Sequence, residues 1–414
     1  MLGVKELQQL RVEHLAGNKN AWNDPMFHLR NRVTTLDELI EIFPDINIEV
    51  VKDQIEQGYQ LSLMPLTVLL SLEHPEVRNK FIPKADFFER EKQDVSKDDP
   101  YGIFESEKVE VDGIHVGSQK FRRSLLMNIT SSCPIGCVSC YKGEYTRVSE
   151  AGFFTDLGKT STIQTKKLVE YLNDNPEIAS VIMSGGEPLL LGNQGMKKVL
   201  EKLREAQYLA EFRICTGTLF QGWPFRLDSE WLEVLRDYES ETGVRVHLNA
   251  HLSHPAQFTP EALDAVARIR EYGFPINSQV PLQEGVNVFR EDFDKTMQTL
   301  YELAELQGRN GVRPYKYILH MNSGSLEYSV PLEFMLQILG ELKYKTDHHL
   351  PETWQPVSVS ILCKEGNILL SPQLALCLEK EVFAEYVEYR IPIPHQRGFR
   401  DVTYREPKME GFND

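Results

Sequence analysis

The chain is expected to adopt an α/β fold, with a closed or partly closed barrel of about six βα units at its centre. Three observations lead there. From about residue 120, short apolar stretches alternate with amphipathic stretches of about a dozen residues, the pattern of a parallel sheet with helical crossovers. The first 120 residues show no such alternation and read mainly as helices and connectors. At 414 residues and 41% hydrophobic, the chain is long and apolar enough for a large core. The expected organisation is a mainly helical N-terminal region over 1–120, the partial barrel over 121–330, and a C-terminal extension over 331–414 that covers it.

In the N-terminal region "TTLDELIEIFP" has Thr35 as helix N-cap, Leu36, Leu39 and Ile40 on one face, and Pro44 as a stop. "PLTVLLSLE" continues as a short buried helix. The charged "FFEREKQDVSKDDPYG" ends in Pro and Gly and reads as a solvated connector. The barrel strands are then expected in "SLLMNIT", "IASVIMS", "EFRICTG", "RVHLNAHL", "PINSQVPL" and "RPYKYILHM". Between them fall helices at 162–174, at roughly 195–206, in "SEWLEVLRDYE", in "PEALDAVARIREYG" with Gly273 as its C-terminal cap, and in "DFDKTMQTLYELAEL". In such folds chemistry gathers at the carboxyl ends of the strands.

A net charge of −16 argues against a nucleic-acid partner held through phosphates and against an anionic membrane surface. No apolar run reaches the roughly 18 residues of a spanning helix. The opening "MLGVKELQQLRVEHLAG" is amphipathic and lacks the pattern of a secretory signal. Six cysteines, three of them clustered, do not resemble a disulfide framework. A cytoplasmic protein with reduced thiols is expected.

The clustered cysteines carry the chemistry. "SSCPIGCVSCYKGEYTR" places Cys133, Cys137 and Cys140 in C-x3-C-x2-C spacing directly after the first barrel strand. Thiolates suit zinc or iron–sulfur clusters. Three of them on a four-iron cluster leave one iron without a protein ligand, an open position for a substrate or cosubstrate. The competing reading is a zinc knuckle or three partly buried thiols. One βα unit later "VIMSGGEPLL" places Gly185, Gly186, Glu187 and Pro188 where backbone approaches a ligand closely, which favours the cluster.

These two motifs together resemble the radical SAM superfamily. The resemblance implies a partial (β/α)6 radical SAM barrel and a 4Fe–4S cluster on Cys133, Cys137 and Cys140. The open iron would chelate S-adenosylmethionine, with Ser184, Gly185, Gly186 and Glu187 facing its methionyl part. The superfamily usually has an aromatic residue or His before the third cysteine; here it is Ser139, with Tyr141 following. Most of the chain further resembles the lysine 2,3-aminomutase-like family. The resemblance runs through "AWNDPMFHLRNRVTTLDELIEIFP", "GYQLSLMPLTVLLSLEHPEVRNKFIP", "LNAHLSHPAQFTPEALDAVARIREYGFPINSQVPLQEGVN" and "VRPYKY". It implies that Asn249, His251, His254 and Gln279 lie near the cosubstrate and cofactor pocket. For the two histidines a barrel-rim role with backbone partners is the competing reading.

The family pattern breaks where its second cofactor, pyridoxal phosphate, is bound. The glycine-rich lysine segment corresponds to "PVSVSILCKEGNILLSP", where the lysine's place falls on Asn367 and Lys364 stands three residues away. The arginine that would hold the phosphate aligns with Ser124, and Arg122 and Arg123 are shifted from it. The family arginine for the substrate carboxylate aligns with Lys142, a point charge in place of a fork. No Asp or Glu stands around His320 or Ser360 to receive a distal amine. Cys215, Cys363 and Cys377 are read as buried thiols.

The expected protein is therefore a radical SAM enzyme, an isomerase or another radical catalyst. It would cleave S-adenosylmethionine reductively to a 5′-deoxyadenosyl radical and take hydrogen from an amino-acid-like small substrate, without pyridoxal phosphate. Lys142 and His320 are the expected substrate contacts, and a flavodoxin or ferredoxin the electron donor. A homo-oligomer is left open. The alternatives are a pyridoxal-dependent 2,3-aminomutase acting on an amino acid other than lysine, with Lys364 as its lysine, and a noncatalytic iron–sulfur or zinc protein.

Overall fold

The computed structural model of the chain describes residues 2–56, 59–84, 108–130, 132–138, 140, 160–320, 330–351, 354, 359–363, 366–395, 398–409 and 411–412. Among the described residues the N-terminal region contains six α-helices: α1 Val4–Leu15, α2 Pro25–Arg30, α3 Leu36–Ile42, α4 Ile48–Glu56, α5 Pro65–Glu73 and α6 Pro75–Phe81. Thr35 caps α3 as expected. Its hydroxyl accepts the Glu38 amide, and the Glu38 carboxylate accepts the Thr35 amide. Leu7, Trp22, Val33, Leu39, Leu63 and Phe81 belong to one buried cluster, and Cys133 and Cys137 pack against its margin.

A ten-stranded sheet follows. Its strands are β1 Lys108–Val111, β2 Ile114–Phe121, β3 Ser124–Asn128, β4 Ser180–Ser184, β5 Glu211–Thr216, β6 Arg245–His251, β7 Ile276–Leu282, β8 Val312–His320, β9 Val359–Cys363 and β10 Gly366–Leu369. They lie side by side in chain order. From β3 to β9 every neighbouring pair is parallel. The crossovers carry α7 Thr160–Asp174, α8 Gly192–Leu203, α9 Ser229–Thr242, α10 Pro260–Glu271, α11 Phe293–Arg309 and α12 Leu332–His349. The α/β reading and its six expected strands, now β3 to β8, agree with this sheet. Among the described residues no pairing joins β1 to β10.

Side chains alternate between the two faces, as the strand period requires. Leu125, Met127, Val181, Met183, Phe212, Ile214, Val246 and Leu248 are buried in one core with Leu168, Leu200 and Leu235 of the helices. The opposite face is polar and presents Ser124, Ser180, Arg213, Cys215, His247 and Asn249. Register sets Cys215 beside Asn249, Asn249 beside Asn277, and His251 beside Gln279.

Two parts differ from the sequence reading. Residues 108–120, read with the helical region, form the β1–β2 hairpin. Asp112 (φ 52°) and Gly113 (φ 75°) turn it, the left-handed pair that suits a tight hairpin. The C-terminal stretch, left without elements, contributes α12, β9 and β10, then a three-stranded antiparallel sheet of β11 Glu379–Val382, β12 Tyr386–His395 and β13 Gly398–Pro407. The expected connector at 87–102 lies outside the described residues.

Candidate active site

The cysteine loop leaves β3 and is clamped from two sides. From the N-terminal region, the Gly136 amide donates to the Ser62 carbonyl at 2.9 Å, and the Ser62 hydroxyl donates to the Pro134 carbonyl at 2.6 Å. The Val138 amide donates to the Lys80 carbonyl at 3.0 Å. From the barrel, the Gly186 amide donates to the Thr130 carbonyl at 2.6 Å and the Glu187 amide to the Ser132 carbonyl at 2.9 Å. Gly185 makes the second clamp possible. Its φ of 121° is foreign to L side chains, and a Cβ there would run into the Thr130 carbonyl oxygen. The close approach expected of this glycine is thus made to the backbone of the cysteine strand.

Cys133, Cys137 and Cys140 are all partly buried. The Cys133 thiol donates to the Ile135 carbonyl at 3.3 Å and the Cys137 thiol to Gln221 Oε1 at 3.2 Å. Burial, reinforced by Glu187 and the other two cysteines, holds the Cys133 thiol far above its ordinary pKa. Burial likewise pushes Cys137 up to about 12, against the pull of Lys80. Two thiols, Cys133 and Cys137, whose ionisation is opposed by burial and by neighbouring anionic groups fit a cationic iron core, which relieves both costs. Among the described residues no three His, Cys, Asp or Glu side chains converge on one metal ion. A four-iron cluster takes one thiolate per iron.

Glu187 is 1% exposed, and its carboxylate is fully occupied. Oε1 accepts from the Leu189 amide at 3.2 Å and the Thr216 hydroxyl at 2.8 Å, and Oε2 from the Gly217 amide at 2.9 Å. Burial raises its pKa while these donors pull it down. Its side chain ties the end of β4 to the end of β5.

Asn249 is buried on β6, where Oδ1 accepts from Asn277 Nδ2 at 3.2 Å and Nδ2 lies 3.9 Å from Cys215 Sγ. His251 and Gln279 are partly buried neighbours at the carboxyl ends of β6 and β7. His254 takes the rim role: its Nδ1 accepts the Ala256 amide at 3.2 Å, and burial lowers its pKa to about 4. The backbone of His320 ends β8 beside Leu362. Ser139, Tyr141, Lys142 and Lys364 lie outside the described residues, as do the side chains of His320, Cys363 and Asn367. Cys377, read as a buried thiol, is instead exposed at the end of a short 3-10 turn, and Cys215 is partly buried.

Three neighbours were not singled out from the sequence. Lys80 and Gln221 reach the cysteine loop from distant segments, which only the fold brings together. The third is Arg213 on β5. Its Nη2 donates to the Ser180 hydroxyl at 2.9 Å and the Ser124 hydroxyl at 3.2 Å, and its Nε lies 3.3 Å from Glu211. A guanidinium therefore stands against Ser124, although residue 124 is not an arginine. Ser360, on β9 beside Ile318, has a buried hydroxyl with no hydrogen-bond partner among the described residues.

A three-cysteine loop at the end of the first parallel strand, backed by a glycine turn from the next, defines a radical SAM domain, and residues 127–300 match the Radical SAM superfamily. Residues 127–300 thus carry a radical SAM domain, and the chain is similar to 2,3-aminomutases. It is 27% identical to a putative L-lysine 2,3-aminomutase of Aquifex aeolicus over 73% of this chain and 74% of that protein. It is also 27% identical to the L-lysine 2,3-aminomutase of Clostridium subterminale, over 80% of this chain and 75% of that one. The glutamate 2,3-aminomutase of Clostridioides difficile is 26% identical over 69% of this chain and 63% of its own. Among the described residues no helix is long and apolar enough to cross a membrane.

Proposed function

We propose that the chain cleaves S-adenosylmethionine reductively and takes a hydrogen atom from an amino-acid-like small substrate, without pyridoxal phosphate. The observation that carries this reading is the double clamp on the loop of Cys133, Cys137 and Cys140. When bound, a 4Fe–4S cluster and S-adenosylmethionine supply a primary carbon radical able to attack an unactivated C–H bond. The chain's own residues do the rest. The three cysteines hold the cluster, and the backbone of Ser184, Gly185 and Gly186 lines the methionyl side with Glu187 as its brace. Asn249, His251 and Gln279 line the rim, and Lys142 attracts the substrate carboxylate. A one-electron donor such as flavodoxin or ferredoxin supplies the reductant. The absence of a lysine from the family's glycine-rich position, here Asn367, supports a reaction without pyridoxal phosphate.

One observation favours the second reading, a pyridoxal-dependent 2,3-aminomutase: the Arg213 guanidinium bonded to Ser124 puts a cation where the family holds a phosphate. The two readings separate in one experiment. Cluster-loaded protein is incubated with S-adenosylmethionine and a reductant, with and without pyridoxal phosphate, and 5′-deoxyadenosine and borohydride-trapped lysine are measured. 5′-Deoxyadenosine without a trapped lysine is the expected result. Stoichiometric trapping on Lys364 or another lysine, with turnover that depends on it, restores the aminomutase reading. Loaded protein that forms no 5′-deoxyadenosine under either condition overturns both.

A further inference from the structure

Lys80 is 2% exposed on α6, in the N-terminal region, yet its backbone holds the cysteine loop. Its carbonyl accepts the Val138 amide between Cys137 and Cys140. Its ammonium donates to the hydroxyl of Ser253, a neutral partner just past β6. Burial opposes the charge on this ammonium while Cys137 and Cys140 favour it, and among the described residues no carboxylate does. A buried cation needs an anion, and here the candidates are the thiolates of the cysteine loop.

We infer that Lys80 is a resident counter-charge of the cluster, additional to the half-buried Arg32 near Cys133, and a positioning residue that makes the cluster easier to reduce. This rests on the cluster reading proposed above. A fixed positive charge in a low-dielectric pocket favours the more negative, reduced state of a neighbouring redox group, and potentials of iron–sulfur clusters respond to net charge around them. The helical region thus contributes more than packing, because it supplies a buried cation that offsets the added electron.

The test is a potentiometric titration of the reconstituted cluster, followed by electron paramagnetic resonance, in wild type, Lys80→Met, Lys80→Arg and Ser253→Ala, with iron and sulfide content measured for each. Lys80→Met should be about tenfold harder to reduce, which for a one-electron couple is a potential about 59 mV more negative. Lys80→Arg retains the charge and should lie close to wild type. Ser253→Ala removes the hydroxyl but keeps the charge, and should also lie close to wild type. A Lys80→Met potential equal to wild type at full iron content overturns the inference and leaves the cluster reading standing. An equal shift in Ser253→Ala and Lys80→Met assigns the effect to the bond and also overturns it. Wild-type protein that takes up no cluster overturns the inference together with the reading beneath it.

Discussion

Replacing Gly185 by Ala should damage the protein through its backbone. The residue sits at φ 121°, and an added Cβ would meet the Thr130 carbonyl oxygen head-on, with the Thr130 and Ile129 amide nitrogens at 3.1 and 3.2 Å. All three atoms are backbone, so no side chain can swing away. Forcing an L residue into this region costs about 1–3 kcal/mol. Relief requires β4 to move from the cysteine strand. That strains the Ile129 amide bond to the Ser184 carbonyl (3.0 Å) and the Gly186 amide bond to the Thr130 carbonyl (2.6 Å). At about 0.5–1.5 kcal/mol each, the total is about 2–6 kcal/mol, a large part of an ordinary domain's stability. Urea unfolding of the apoprotein measures the first effect, and iron uptake of folded variant measures the second, since the cysteine loop loses one clamp. A variant with a midpoint shift worth under about 1 kcal/mol and full iron content would refute the reasoning.

Three further predictions follow from other groups. Cys133→Ala, Cys137→Ala and Cys140→Ala should each abolish reductive cleavage of S-adenosylmethionine, and 5′-deoxyadenosine formed by the triple variant would show the ligand assignment to be wrong. His28 is buried with its Nε2 bonded to the Trp22 carbonyl at 2.8 Å, and burial lowers its pKa from 6.5 to about 4. The unfolded chain takes up this proton first. His28 therefore leaves stability intact above about pH 6.5 and removes about 3 kcal/mol as pH falls toward 4, a slope that His28→Gln should lose in denaturation measured across that range. Free L-lysine should be a poor substrate, disfavoured about a hundredfold, because the sequence supplies no acid around His320 and Ser360 for its distal ammonium; efficient conversion of L-lysine to β-lysine by the purified enzyme would sink this.

Strands β3 to β6 were legible because apolar residues alternate toward the helices, as in Leu125 and Met127 or Val246 and Leu248, whereas Ser278 interrupts that alternation in β7 and a register shift interrupts it in β8. The β1–β2 hairpin carries a weaker signal. "KVEVDGIHVG" alternates over only a few residues, and its Asp112–Gly113 turn is the one strong mark. Strand β12 was hidden by Pro392 and Pro394, which argue against a paired strand. The structure accommodates both because β11 pairs with β12 only at 387–390, leaving the proline stretch bonded to β13 alone.

The same contrast runs through the site. The three cysteines could be found from spacing, because their ligand role depends on one short loop. The residues that hold the loop could not, because Ser62, Lys80 and Gln221 lie 50 or more residues away and meet it only through topology. The GGEP turn shows how a correct motif can carry a different physical reason. Gly185 admits the neighbouring strand, and Glu187 braces β5. The loop's anchors come from two separate cores, the N-terminal cluster around Leu63 and Phe81 and the barrel core around Met127 and Met183. The clamps on Cys133, Cys137 and Cys140 are therefore complete only once both cores have formed.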